Sequence, residues 1–71
     1  MGADGIVELT VNGEAVTFDR EPDVAGLLAR LDLPERGVAV AIDGVVRPRS
    51  RWDEPIGRYA VVDVLTAVQG G

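Results

Sequence analysis

The residues of this chain best suited to chemistry are its last two. Gly70 and Gly71 close the stretch TAVQGG, residues 66–71. Glycine is a poor residue for finishing a strand, because it loses the most backbone entropy on ordering and packs no side chain. A terminal carboxylate can be activated as an acyl-adenylate, which turns an inert group into an electrophile. An enzyme that reaches this carbon must admit the preceding residues through a narrow channel, and glycine lets the backbone approach most closely. The Gly71 carboxylate, with Gly70 behind it, is therefore the candidate reactive group. The plain alternative is a frayed end, where glycine is common.

Other chemistry is scarce. The chain has no cysteine, histidine or lysine, and all seven basic residues are arginines. A thiol nucleophile or persulfide, the commonest neutral-pH base and a Schiff base are thus excluded. Ser50, a few threonines, Tyr59 and scattered carboxylates remain, an inventory that argues against an autonomous enzyme. Glu8, Asp32, Asp43 and Asp53 have no metal-loop spacing and read as surface residues. Arg47, Arg49 and Arg51 alternate in RPRSR and read as a solvated loop, with Trp52 as a core plug.

The net charge of −5 disfavours nucleic acid, which needs a basic face, and suits a basic protein surface instead. No apolar run approaches the ~20 residues of a membrane span. The start MGADG has neither a basic nor an apolar export region, so a cytoplasmic location is expected.

These groups need elements to hold them. Seventy-one residues make one small domain, with residues 1–5 as a loose leader and 67–71 as a flexible tail. IVELTVNGEAVTF contains two alternating runs around Asn12-Gly13, a strong hairpin signal. A two-residue loop pairs Val11 with Glu14, Leu9 with Val16 and Val7 with Phe18. It puts Val7, Leu9, Val11, Val16 and Phe18 on one face. Asp23 is a candidate N-cap, and Val24, Leu27, Leu28 and Leu31 follow helical spacing, with Pro34 expected to end the helix. Gly26 weakens that helix by about 1 kcal/mol relative to alanine. VAVAI is a strand, Asp43-Gly44 a turn, Val45-Val46 a short strand and RPRSRWDEPIG a loop with a 3₁₀ turn. YAVVDVLTAV is the last strand, with Val62 and Val64 inward and Val61, Asp63 and Leu65 outward.

One helix on one face of a mixed four- to five-stranded sheet is an α+β two-layer domain, with the last strand placed centrally beside the first. The uncovered face would carry Thr10, Ala15, Ala39, Ala41, Val61 and Leu65. Small, flat and partly apolar, it is either a docking surface or an ordinary solvated face; the pattern alone does not choose.

TVNGE, VAGLLARL, RGVAVAIDGVVRPRSRW and the closing TAVQGG together resemble the ThiS family of thiamine-biosynthesis sulfur carriers, over nearly the whole chain from residue 6. The VAVAIDG…PRSRW block and the terminal Gly-Gly are the most specific parts. The resemblance implies a ubiquitin-like β-grasp fold. It also implies a protein cosubstrate, rather than a catalyst, that binds no cofactor itself. An adenylyltransferase related to ubiquitin-activating enzymes (ThiF-like) would use ATP and magnesium to adenylate Gly71. Sulfur, indirectly from a cysteine desulfurase, would make a thiocarboxylate, and thiazole synthase (ThiG-like) would accept it. Val68, Gln69 and Gly70 would form the threaded tail, and the apolar Val61 and Leu65 of the uncovered face are the expected contacts of both partners. The molybdopterin synthase small subunit, also ending in Gly-Gly, and a ubiquitin-like modifier or passive binding module are the alternatives. Tyr59 and Ala60 stand where this family usually has a Gly-Asp turn.

Overall fold

The computed structural model describes residues 6–66. Strands β1 (Val7–Val11) and β2 (Glu14–Phe18) form the expected hairpin, followed by helix α1 (Val24–Arg30), strands β3 (Val38–Ile42) and β4 (Val45–Val46), a 3₁₀ turn (Arg49–Arg51) and strand β5 (Val61–Thr66). The sheet order is β2-β1-β5-β3-β4. β1 and β5 run parallel, and the other neighbours are antiparallel. This is the mixed β-grasp arrangement, with β5 central beside β1.

The first hairpin has the register set by its alternation: Val7 opposite Phe18, Leu9 opposite Val16 and Val11 opposite Glu14. Asn12 and Gly13 have φ of 51° and 87°, and Asp43 and Gly44 have 52° and 86°. Positive φ at both loop residues gives the type I′ turn, whose twist matches that of its flanking strands. Both hairpins therefore rest on the same turn chemistry.

Seven residues of helix are too few to stand alone in water. Tertiary burial holds α1: Val24, Leu27 and Leu28 are fully buried, each contributing roughly 1.5–3 kcal/mol. They pack into one core with Val7, Leu9, Val40 and Val62. Asp23 is the N-cap, its side chain accepting from Gly26 N–H at 2.7 Å. A Cβ on Gly26 would sit 3.1 Å from that same Asp23 oxygen. The glycine that lowers helix propensity thus leaves the cap its room.

The helix stops earlier than Pro34 suggests. Leu31 is the C-cap and Asp32 turns left-handed, with φ 61°. Asp32 N–H donates to Ala29 C=O at 3.1 Å and Leu33 N–H to Leu28 C=O at 2.9 Å. This is the Schellman pairing, with aspartate at the usual glycine position. Asp32, read from the sequence as plain surface, is the helix stop.

The last strand also differs at its start, since it begins at Val61 and not at Tyr59. The chain bends at Arg58 and Tyr59 instead, just after Gly57, whose φ is 121°. Ala60 is buried beyond it, and Tyr59 stands 77% exposed.

The arginine loop is ordered from within, not merely solvated. Arg49 stacks on Trp52, 4.4 Å from the ring centroid, and donates to Glu35 C=O at 2.6 Å. Arg47 donates to the Arg51 and Glu54 carbonyls at 3.4 and 3.3 Å, and Arg51 pairs with Glu54 at 3.0 Å. Trp52 is buried as expected, its Nε1–H donating to Arg47 C=O at 3.0 Å.

Candidate functional site

Gly71, Gly70, Gln69 and Val68 lie outside the described residues, as does the expected mobility of residues 67–71. What the fold positions is the strand that leads into them. β5 sits between β1 and β3 and is bonded on both sides. On the β3 side it is paired from Val62 to Thr66. On the β1 side Thr10 N–H donates to Ala60 C=O at 3.1 Å and Asn12 N–H to Val62 C=O at 2.9 Å.

Two turn residues extend that grip. Asn12 Oδ1 accepts from Val64 N–H at 2.8 Å while Asn12 Nδ2 donates to Val64 C=O at 3.3 Å. The carboxamide thereby satisfies both backbone groups of Val64 where β1 has already turned away. On the other flank, Asp43 Oδ1 accepts from Val61 N–H at 2.9 Å, and Asp43 N–H donates to Val61 C=O at 2.7 Å. Asp43 thus closes the start of β5 and is more than the surface residue its sequence context suggests.

Burial alternates along β5. Val62 and Val64 are buried, while Val61 and Leu65 are 49% and 65% exposed. Leu65 lies opposite Ala39, and Asp63 opposite Ala41. The small β3 side chains leave Leu65 standing above the sheet. Val46, 65% exposed, lies opposite Ala41 and joins the same uncovered face. Sequence reasoning missed it, although a two-residue Asp43-Gly44 loop fixes that register. The uncovered face therefore carries Val61, Leu65 and Val46 around the carboxylate of Asp63. At the end of β5 a shallow, largely apolar depression is lined by Gly37, Val38, Ala39, Arg49, Leu65 and Thr66.

Among the described residues no polar or charged side chain is buried. The exposed Arg51–Glu54 pair perturbs both of its own members. Arg51's hydrogen bond holds the Glu54 carboxyl below the usual carboxylate range, and the same bond raises Arg51. No cluster of three or more potential metal ligands occurs among the described residues, and no helix there is long and apolar enough to cross a membrane.

The ThiS family model matches residues 6–71. Among solved structures, the crystal structure of the thiamine biosynthesis protein (ThiS) from Geobacter metallireducens is similar to this chain. The two share 30% identity with a TM-score of 0.74, over 92% of this chain and 100% of that one. No curated protein matches.

Proposed function

Since the chain belongs to the ThiS family, we propose that it is a sulfur carrier of thiamine biosynthesis whose working group is the Gly71 carboxylate. It acts as a protein cosubstrate. A ThiF-like adenylyltransferase supplies ATP and magnesium, and a carboxylate oxygen of Gly71 attacks the α-phosphorus and releases pyrophosphate. Sulfur provided indirectly by a cysteine desulfurase, brought from persulfide to sulfide level by a thiol that is itself oxidised to a disulfide, then displaces AMP to leave the thiocarboxylate. A ThiG-like thiazole synthase takes the sulfur from there. The chain binds no cofactor of its own and works in the cytoplasm.

The placement of β5 carries this reading. A strand held on both flanks ends at Thr66 in the middle of the sheet, and five residues, 67–71, follow it. Fully extended, they reach about 17 Å, enough to thread a partner's channel while the body docks outside. Val68, Gln69 and Gly70 occupy that channel. Val61 and Leu65, on the uncovered face, meet both enzymes.

Intact mass after incubation with the activating enzyme, ATP and a sulfur source tests the chemistry. The unaltered chain should gain the mass of one oxygen replaced by sulfur. Deleting Gly71 retracts the carboxylate by about 3.5 Å, and misplacement of even 1 Å costs on the order of 100-fold in rate. The shortened chain should fold and gain nothing, and Gly71→Val should fail as well, its branched Cβ blocking the channel. Normal conversion of either variant would disprove the terminal-glycine mechanism. Leu65→Glu should keep the fold, because the side chain is solvent-facing, and weaken binding to the activating enzyme. Undiminished binding by a folded Leu65→Glu protein would place docking elsewhere.

A further inference from the structure

β2 is an edge strand, and its ladder fixes which backbone groups it leaves open. Thr10 and Asn12 donate their N–H groups to Ala60 and Val62, so the even-numbered residues of β1 face β5. The odd-numbered Val7, Leu9 and Val11 bond with their partners Phe18, Val16 and Glu14. The N–H and C=O groups of Ala15 and Thr17 consequently point out of the sheet. Such a row is a template for another strand.

Little within the strand opposes self-pairing. An antiparallel copy centred on Val16 sets Ala15 opposite Thr17 and Glu14 opposite Phe18. No like charges meet, and about four hydrogen bonds would form. The obstacle comes from α1. Arg30, its last residue, holds its guanidinium 5.3 Å from the Phe18 ring centroid and donates to the Thr17 carbonyl at 2.6 Å. That carbonyl is one of the outward groups a second strand would need. Stacking on Phe18 restrains the planar fork, so the contact loses less side-chain freedom than an unstacked lysine would.

We propose that Arg30 guards the β2 edge, and that the partner it excludes is a second copy of this chain. The helix-side arginine occupies an acceptor on the sheet edge and lays a charged group across the approach of another strand. Arg30 covers β2, the strand farthest from β3 and β4, so it keeps the carrier monomeric without occupying the surface proposed for its enzymes.

Sedimentation equilibrium from micromolar to low millimolar concentration tests this, with circular dichroism confirming the fold. The unaltered chain should be monomeric. Arg30→Met keeps a good helix former and an apolar stem over Phe18 but removes the donor and the charge. It should dimerise roughly 30-fold more tightly, from the two Thr17 carbonyls a symmetric pair gains. Adding Thr17→Pro should restore the monomer, since the Thr17 N–H points outward and its loss breaks no internal ladder bond. A monomeric Arg30→Met protein at low millimolar concentration would overturn the proposal. So would an unaltered chain that already dimerises through β2, or an Arg30→Met dimer indifferent to Thr17→Pro.

Discussion

The two hairpins share a turn and differ in what the turn's first residue does. Asn12-Gly13 and Asp43-Gly44 have nearly the same positive φ pair, and each sends a side chain to β5 from an opposite flank. Asn12 meets a residue whose N–H and C=O are both open, and its carboxamide supplies an acceptor and a donor. Asp43 meets one open N–H at Val61, and its carboxylate, an acceptor only, suffices. The choice between two turn residues of similar backbone tolerance is made by the strand beside them. The hairpins also differ in burial. Both inner strands are core, with Val7, Leu9 and Val11 of β1 and Val40 and Ile42 of β3. Val16 and Phe18 of β2 pack against that core, whereas Val45 and Val46 of β4 are 70% and 65% exposed. The second hairpin thus leaves an apolar group on the same uncovered face as Leu65.

Exchanging the two residue types tests this complementarity. Asn12→Asp keeps the turn and the acceptor for Val64 N–H, but it removes the donor and sets a carboxylate oxygen against Val64 C=O. We expect a loss of about 2 kcal/mol, or roughly 8–16 °C in Tm for a domain of this size. Asp43→Asn keeps the acceptor that Val61 needs and should cost less than about 0.5 kcal/mol. Denaturant midpoints measure both, and hydrogen exchange at the Val64 amide gives a local reading for the first. Equal costs at the two positions would break the comparison.

This pairing of turn residue with strand also marks where the sequence stops being legible. Alternation around Asn12-Gly13 is local, so the register of the first hairpin, the inward Val62 and Val64 and the outward Val61 and Leu65 could all be read directly. The roles of Asn12 and Asp43 could not, because Asn12 acts on a residue 52 positions away, and their partners exist only once β5 has been inserted. The helix stop was hidden differently: Pro34 is a loud signal, and aspartate in a left-handed cap is a quiet one, so the earlier of the two was overlooked. Alternate arginines in an acidic chain look like a solvated loop until the 3₁₀ turn brings the Glu35, Arg51 and Glu54 carbonyls within reach of their guanidinium groups. Of the candidate site, Val61 and Leu65 lie where the alternation places them, and Val46 required the register of the second hairpin.

The smallest expected effect lies in an exposed contact of the loop that follows the second hairpin. Arg51 Nε donates to Glu54 Oε2 at 3.0 Å, and both side chains are largely exposed. The bond lowers the folded-state pKa of Glu54. A carboxyl depressed on folding contributes stability above its unfolded pKa and loses it as pH falls through the folded value. The contribution should therefore be intact at neutral pH and fade on acidification below the ordinary glutamate range. Solvent and salt screen such a pair, so the loss should be slight and smaller still in high salt. A carbon-detected NMR titration should find Glu54 titrating below the ordinary glutamate range, and Arg51→Ala should move it up. If Glu54 shows no such depression in the unaltered chain, the Arg51 contact is not populated in solution, and the loop rests on buried Trp52 and the contacts of Arg47 and Arg49.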